Sequence, residues 1–174
     1  MIKKQSKIQD LILLYPELFK DSRGEYFQTF NIDEYKFKDH NGASIVFKED
    51  DISISKQNVL RGLHGDKKTW KLVQCIHGEI YFVVVDFRKE SPTYKNVESF
   101  ILNSKNKTQI LIPPGCGNGT LCLTEISIFS YKQSEIYSGS QNQFSLRWND
   151  PKLGISWPIK NPILSERDKN AKLL

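Results

Sequence analysis

The chain has 174 residues, 25 of them Lys or Arg against 20 Asp or Glu, for a formal net charge of +5. That length suits one domain with a real core, and 39% hydrophobic with 11% aromatic residues is not the composition of a disordered protein. The longest unbroken apolar stretch, Ile80 to Val85, is too short to span a bilayer as a helix, and the apolar run at 11–15 is too short and too late for a signal peptide.

Three cysteines, Cys75, Cys116 and Cys122, form no CxxC pair, which argues against a disulfide framework or a zinc knot. The lysines are dispersed, and acidic residues sit among them in KEDD at 48–51 and SERDK at 165–169. No arginine-rich run, RRM-like aromatic pattern or helix-turn-helix spacing points to nucleic acid. A small anionic ligand suits the modest positive excess better. The expectation is a soluble cytoplasmic protein that binds neither membrane nor nucleic acid.

Taken in chain order, short segments rich in Ile, Val, Phe and Tyr predict strands over 11–15, 25–31, 45–47, 52–55, 71–76, 79–87, 97–102, 109–112, 127–132 and 144–147. Residues 33–38 read as a short helix, and the tail after Ser165 as another helical turn. The separators are DSRG at 21–24, HG at 77–78, ESPT at 90–93, PPGCGNG at 113–119 and NDP at 149–151. No repeat or linker interrupts them, so residues 1–174 read as one domain. Many short strands with polar turns and few helices mean an all-β sandwich or barrel. Ile80 to Val85 is apolar on both faces, which places it in the middle of a sheet or at an interface.

Only three histidines are available for acid–base or metal chemistry: His40, His64 and His77. His40 lies in the turn composition DHNG, and His77 in IHGE, a hairpin turn. His64 follows Val59-Leu60-Arg61-Gly62-Leu63 and precedes Gly65-Asp66, so an apolar strand end delivers an imidazole beside an arginine and two glycines. On these residues alone it stays open between a core or turn histidine and a functional one. A cupin metal site needs an HxH pair with a nearby Glu and a later His, so that four ligands converge on one cation. The histidines here are 24 and 13 residues apart with no HxH, so no metal and no cofactor is expected.

The segment RGLHGDKKTWKLVQCIHGEIYFVVVDFRKESPT at 61–93 resembles the RmlC-like family of nucleotide-sugar epimerases, typified by dTDP-4-dehydrorhamnose 3,5-epimerase. The pattern runs across nearly the whole chain, as DSRGEYFQTFN at 21–31, VLRGLH at 59–64, KLVQC at 71–75, VDFRKESPTY at 85–94, IPPGCGNG at 112–119, FSYKQSEIY at 129–137, WNDP at 148–151, then ISWP and LSERD in the tail. The resemblance implies a cupin-type jelly roll (a double-stranded β-helix) with short flanking helical turns, working as a metal-free homodimer on a nucleotide-sugar. A 4-keto sugar has acidified protons on the carbons beside its carbonyl, and inverting such a centre needs a base on one face, an acid on the other and a stabiliser for the enolate. By resemblance His64 is the base, Asp168 the carboxylate that fixes its tautomer, Lys71 the cation near the 4-keto oxygen and Tyr131 the opposing acid. An imidazole is matched to proton transfer near neutral pH, and a preorganised donor suits a developing oxyanion. Arg23 and Arg61 match residues approaching the diphosphate, for which an arginine fork is suited, whereas Arg167 and Lys169 are left unassigned.

Departures from the family pattern are expected to line the sugar and base pockets. Gln28 stands where a glutamate is typical, so an acceptor-only group becomes one that also donates. The family's QxNxS is replaced by Glu49-Asp50-Asp51-Ile52-Ser53, its RGLHYQ by RGLHGD, a central-strand aspartate by Phe82, and a histidine by Asn118. Asp51, Asn118 and Gln28 therefore join the arginines as expected substrate-binding residues. The combination of RGLHGD, KTWKLVQ and GNG is similar to GDP-4-keto-heptose epimerases of capsule pathways, acting at carbon 3 or at carbons 3 and 5. A dTDP-4-keto-6-deoxyglucose 3,5- or 3-epimerase is the alternative. A sugar 3,4-ketoisomerase and a non-enzymatic carbohydrate-binding jelly roll are the readings from other classes.

Overall fold

A computed structural model describes residues 1–174. Thirteen strands and two helical turns follow in order: β1 (Ile2–Gln5), β2 (Ile12–Tyr15), β3 (Phe19–Asp21), β4 (Gly24–Tyr26), β5 (Glu49–Lys56), β6 (Leu60–Gly65), β7 (Lys71–His77), β8 (Glu79–Asp86), β9 (Val97–Asn103), β10 (Gln109–Ile112), β11 (Cys116–Cys122), β12 (Ile126–Gln133), a 3₁₀ turn (Ser140–Asn142), β13 (Phe144–Ser145) and α1 (Glu166–Lys169). A six-stranded sheet runs β1-β2-β10-β7-β12-β5, a five-stranded sheet runs β13-β6-β11-β8-β9, and β3 with β4 forms a separate hairpin. All strand pairs are antiparallel. This is the expected all-β jelly roll.

The two sheets meet over an apolar cluster that includes Val73, Cys75, Ile110 and Phe129 from one sheet and Ile80, Phe82, Val84 and Cys116 from the other. Ile80 to Val85 forms most of β8, which is paired on both sides, by β11 and β9. Its residues Phe82 to Val85 are wholly buried, as two apolar faces require. The cluster fills the part of the interlayer space between β7, β10, β8 and β11. Towards β5 and β6 the space between the sheets holds a cavity.

Four readings of the sequence are corrected. Of the strand expected over 25–31, only Glu25 and Tyr26 lie in β4, and residues 27–31 are in no strand. Residues 33–38 are not a helix: Asn31 O accepts from the N–H groups of both Glu34 and Tyr35 in a turn, after which Tyr35 and Phe37 are buried while Lys36 and Lys38 are exposed. That period of two is extended-chain behaviour. Residues 45–47 are not in a strand, although Ile45 and Phe47 pack on the cluster around Tyr35. Most of PPGCGNG is strand β11 and not a separator. Its Gly119 reads as a turn residue but is demanded by packing, since a Cβ there would lie 2.8 Å from Leu63 Cδ2 and 3.2 Å from Arg61 O. Glycine lets backbone approach backbone where any side chain would push β6 away.

Several family motifs turn out to be scaffolding. In VDFRKESPTY, Asp86 is fully buried and accepts from Arg88, Ser91 and Thr93. Burial works against its charge, but these donors outweigh it and hold the carboxyl down at about 2. In WNDP and ISWP, Trp157 donates its indole N–H to Trp148 O at 2.7 Å. The two rings pack with Leu60 and Leu121 against the five-stranded sheet.

Candidate active site

The cavity of about 690 Å³ between the sheets is where the expected residues converge. His64 comes from β6 on the five-stranded sheet, where it pairs with Asn118 of β11 on one side and Ser145 of β13 on the other. Lys71 and Tyr131 come from the facing sheet. The register places Lys71, Gln133 and Glu49 side by side across β7, β12 and β5, with Val73, Tyr131 and Asp51 as the next row. Paired antiparallel residues share a face and so do residues two apart, so all six form one panel opposite His64.

Asp168 reaches His64 from 104 residues away because the tail is laid along β6. Ile163 bridges Val59 in parallel, Leu60 N–H donates to Ile163 O at 3.0 Å, and Ile163 N–H donates to Asn58 O at 2.8 Å. The chain then turns into α1, where Ser165 is the N-cap and its Oγ accepts from Asp168 N–H. The serine thereby fixes the helical turn that aims the aspartate inward. Asp168 is 2% exposed. Its Oδ1 lies 2.5 Å from His64 Nε2, and its Oδ2 accepts from Gly62 N–H at 3.4 Å. Burial pushes this carboxyl up, but the bond and charge of His64, with Gly62 and Ser165, outweigh it and hold it below the ordinary carboxylate range. An ionised carboxylate only accepts, so Nε2 carries the hydrogen and Nδ1 keeps the lone pair of a base.

Lys71 is nine-tenths buried. Burial lowers the pKa of its ammonium; Asp66 opposes that shift and Arg167 adds to it. Tyr131 is half-buried with its ring 5.5 Å from that of Phe129. Burial, then Asp51 and Glu49, raise its phenol above the ordinary value, which keeps it in the protonated, donating form. The arrangement therefore sets an imidazole and a phenol on opposite walls of the cavity, with an ammonium on the phenol's wall.

Arg61, Asp51 and Asn118 also line this cavity. Arg61 is tied by Nε to Ser55 Oγ at 3.0 Å and by Nη2 to Ile54 O at 3.3 Å. Two expected binding residues do not reach the cavity within one chain. Arg23 sits on the β3–β4 hairpin with its side chain 88% exposed, held by Asp21 at 2.6 Å. A two-residue spacing across a tight turn makes that local pair before any ligand can. Gln28 lines a separate hollow of about 200 Å³ beside Tyr35, whose hydroxyl donates to Gln28 O. Phe82 is also corrected: it is wholly buried against Phe129 at 5.7 Å and belongs to the core, not the lining. Gly65 is packed against Phe144 and Cys116, and Asp66 faces a neighbouring hollow of about 470 Å³.

Glu49, among the departures expected to line the pockets, does line the cavity; the sequence reading missed Gln133 and Tyr137 and left Arg167 unassigned, yet these three line it too. Glu49 and Gln133 stand two residues from Asp51 and Tyr131, so strand periodicity carried through from those positions finds them. Arg167 donates to Ser145 Oγ and Gln143 Oε1, and its Nη2 is buried with no partner. No group of three or more His, Cys, Asp or Glu side chains is arranged to hold a metal ion. No helix is long and apolar enough to cross a membrane.

A jelly roll with this site is the framework of the nucleotide-sugar epimerases, enzymes of the isomerase class, and similarity to known proteins agrees. The chain belongs to the dTDP-4-dehydrorhamnose 3,5-epimerase family, whose family model matches residues 5–174. It is 41% identical over 178 aligned residues to the dTDP-4-dehydrorhamnose 3,5-epimerase of Salmonella typhimurium, covering 100% of this chain and 96% of that enzyme. Among solved structures it is similar to the Bacillus anthracis enzyme with TDP and PPi bound, at TM-score 0.91 and 36% identity, covering 99% of both chains. The Legionella pneumophila dTDP-6-deoxy-D-glucose-3,5-epimerase, in complex with dTDP-4-keto-L-rhamnose, superposes at TM-score 0.89 and 34% identity, covering 99% of this chain and 92% of that one. These relatives give no support to the expected GDP-heptose substrate and favour the dTDP-sugar alternative.

Proposed function

We propose that the protein is a 3,5-epimerase of a dTDP-4-keto-6-deoxy sugar, working without a metal. The observation that carries this reading is the 2.5 Å His64–Asp168 pair facing Tyr131 across one cavity. His64 Nδ1 takes the proton from carbon 3, and the imidazolium so formed is held by the Asp168 carboxylate. The electron pair moves onto the 4-keto oxygen, where Lys71 supplies the positive charge; such a donor is worth about 3 kcal/mol at a developing oxyanion. Tyr131 returns a proton from the opposite wall, which inverts the centre. Carbon 5 lies on the other side of the same carbonyl, and the same groups serve it once the sugar is turned.

Incubation with dTDP-4-keto-6-deoxyglucose in heavy water, followed by NMR, tests this. Deuterium is expected at carbons 3 and 5 with the carbonyl unmoved at carbon 4. A carbonyl moved to carbon 3 would make the protein a ketoisomerase, and no exchange at all would leave only a carbohydrate-binding role. GDP-4-keto-heptose run in parallel is expected to exchange more slowly.

A homodimer is part of the same proposal. β5 is an edge strand of the larger sheet and turns Ile52 and Ile54, 60% and 63% exposed, to solvent. An eight-residue edge with an apolar outer face suits coverage by a second copy. Light scattering is expected to give twice the chain mass, and activity is expected to survive EDTA. A monomer, or activity lost to EDTA and restored by a divalent cation, would count against these two claims.

A further inference from the structure

The Tyr131 wall carries two carboxyl groups that the proposed proton transfers do not use. Gln133, 4% exposed, donates through one nitrogen to Glu49 Oε1 at 3.0 Å and to Asp51 Oδ2 at 3.1 Å. Tyr137 N–H donates to Glu49 Oε2 at 2.8 Å. Both oxygens of Glu49 are thereby engaged. Asp51 has one oxygen clamped and the other, Oδ1, without a protein donor, in a residue that lines the cavity. The two positions are among those where the family motif carries amides, so the acidic character belongs to this chain.

Independent groups in the same cavity are also left for a ligand. Lys71 is nine-tenths buried, and its ammonium makes no hydrogen bond or ion pair with the protein, although it lines the cavity. Asn118 Oδ1, on the facing sheet, is buried with no hydrogen-bond partner. Buried polar groups of this kind are costly unless something satisfies them. A polyhydroxylated ring offers both donors and acceptors.

Strand spacing fixes which part of a ring can meet Asp51. Lys71 and Asp51 stand on β7 and β5, with β12 between them and one row of two residues offsetting them along the strands, so their roots are about 12 Å apart. That separation lets the two side chains grip opposite sides of one pyranose. With the 4-keto oxygen on Lys71, as in the function proposed above and resting on it, the far side of the ring presents carbon 1 flanked by carbon 2 and the ring oxygen. The 2-hydroxyl is the one donor there, since the carbon 1 oxygen is bound to the diphosphate.

We infer that Asp51, clamped by Gln133 beside Glu49, is a specificity-determining residue whose free oxygen accepts a hydrogen bond from the 2-hydroxyl of the sugar. The bond holds the ring flat against the Tyr131 wall, with carbon 3 turned towards His64. Gln133 is a positioning residue, since it acts only through Asp51. Burial, then Glu49, hold the Asp51 carboxyl above its ordinary range, while Gln133 opposes the shift. A carboxyl under that tension gains from a hydroxyl donor that stabilises its charged form.

The test compares the 4-keto nucleotide-sugar with its 2-deoxy analogue, by calorimetry for Kd and by heavy-water exchange for turnover. The native protein is expected to bind the analogue at least about tenfold more weakly, the usual effect of losing a hydrogen bond to a charged group. Asp51→Ala is expected to bind both sugars alike, and Asp51→Asn to fall between, keeping an acceptor without the charge. Glu49→Gln is expected to keep the discrimination, because Gln133 still clamps Asp51. An analogue-to-parent ratio in Asp51→Ala equal to that of the native protein would overturn the inference, as would a native protein indifferent to the 2-hydroxyl. Exchange that fails in the native protein while the binding ratio is as expected would overturn the epimerase reading and leave this one standing. Circular dichroism on each variant separates a lost contact from a lost fold.

Discussion

His64→Asn is expected to remain folded while exchange of the carbon 3 proton falls at least about a hundredfold, the lower end of what a positioned base contributes. The amide is shorter than the imidazole and leaves β6 unstrained, and Asp168, which loses the Nε2–H donor, keeps Gly62 N–H and the Ser165 cap that hold it in place. What disappears is the Nδ1 lone pair facing the cavity. The drop should appear in the rate of deuterium incorporation under saturating substrate, with Kd little changed, because removing the base acts on the transition state and not on ground-state binding. Near-normal exchange in this variant would show that some other group is the base.

Tyr131→Phe is expected to divide the reaction. It removes only the hydroxyl, leaving the ring packed on Phe129 at the same place. Inversion at carbon 5 should fall by about a hundredfold or more, since it needs an acid delivered from that wall. Exchange at carbon 3 should fall less, because His64 faces that carbon, and the proton it has taken can be replaced by a deuteron from heavy water before it is returned from the same face. The measurement is the ratio of deuterium at the two carbons over time. Equal loss at both, or deuterium confined to carbon 5, would show that the labour is not divided this way.

The sequence spoke clearly where one side chain or one period decided the structure. β8 was legible because Ile80 to Val85 cannot show either face to water, and β10 because Gln109–Ile112 is bounded by polar residues and prolines. β11 was hidden, because glycines that serve close sheet packing read in one dimension as turn residues. The Tyr35 region was misread because its period of two is too short to outweigh helix-compatible charges on either side. Within the site, His64, Lys71, Tyr131 and Asp168 were legible as a set, through motif order alone. Arg23 and Gln28 were not placeable, since whether a hairpin side chain meets a cavity depends on how the hairpin lies against the rest of the molecule. That Gln133 pairs with Glu49 needed the register of β5 against β12, which no local pattern states.

The imidazole of His64 and the phenol of Tyr131 stand on different sheets, so no single strand sets the distance between them. That distance is a property of the interlayer packing, with Phe82 pressed on Phe129 near its margin and sheet faces held about 10 Å apart. Interiors packed to crystal density behave as stiff spacers. A displacement of 1 Å between reacting groups can cost about a hundredfold in rate. The hydrophobic core thus works as a calliper for the chemistry: side chains that never touch a sugar decide whether both jaws can reach the same carbon.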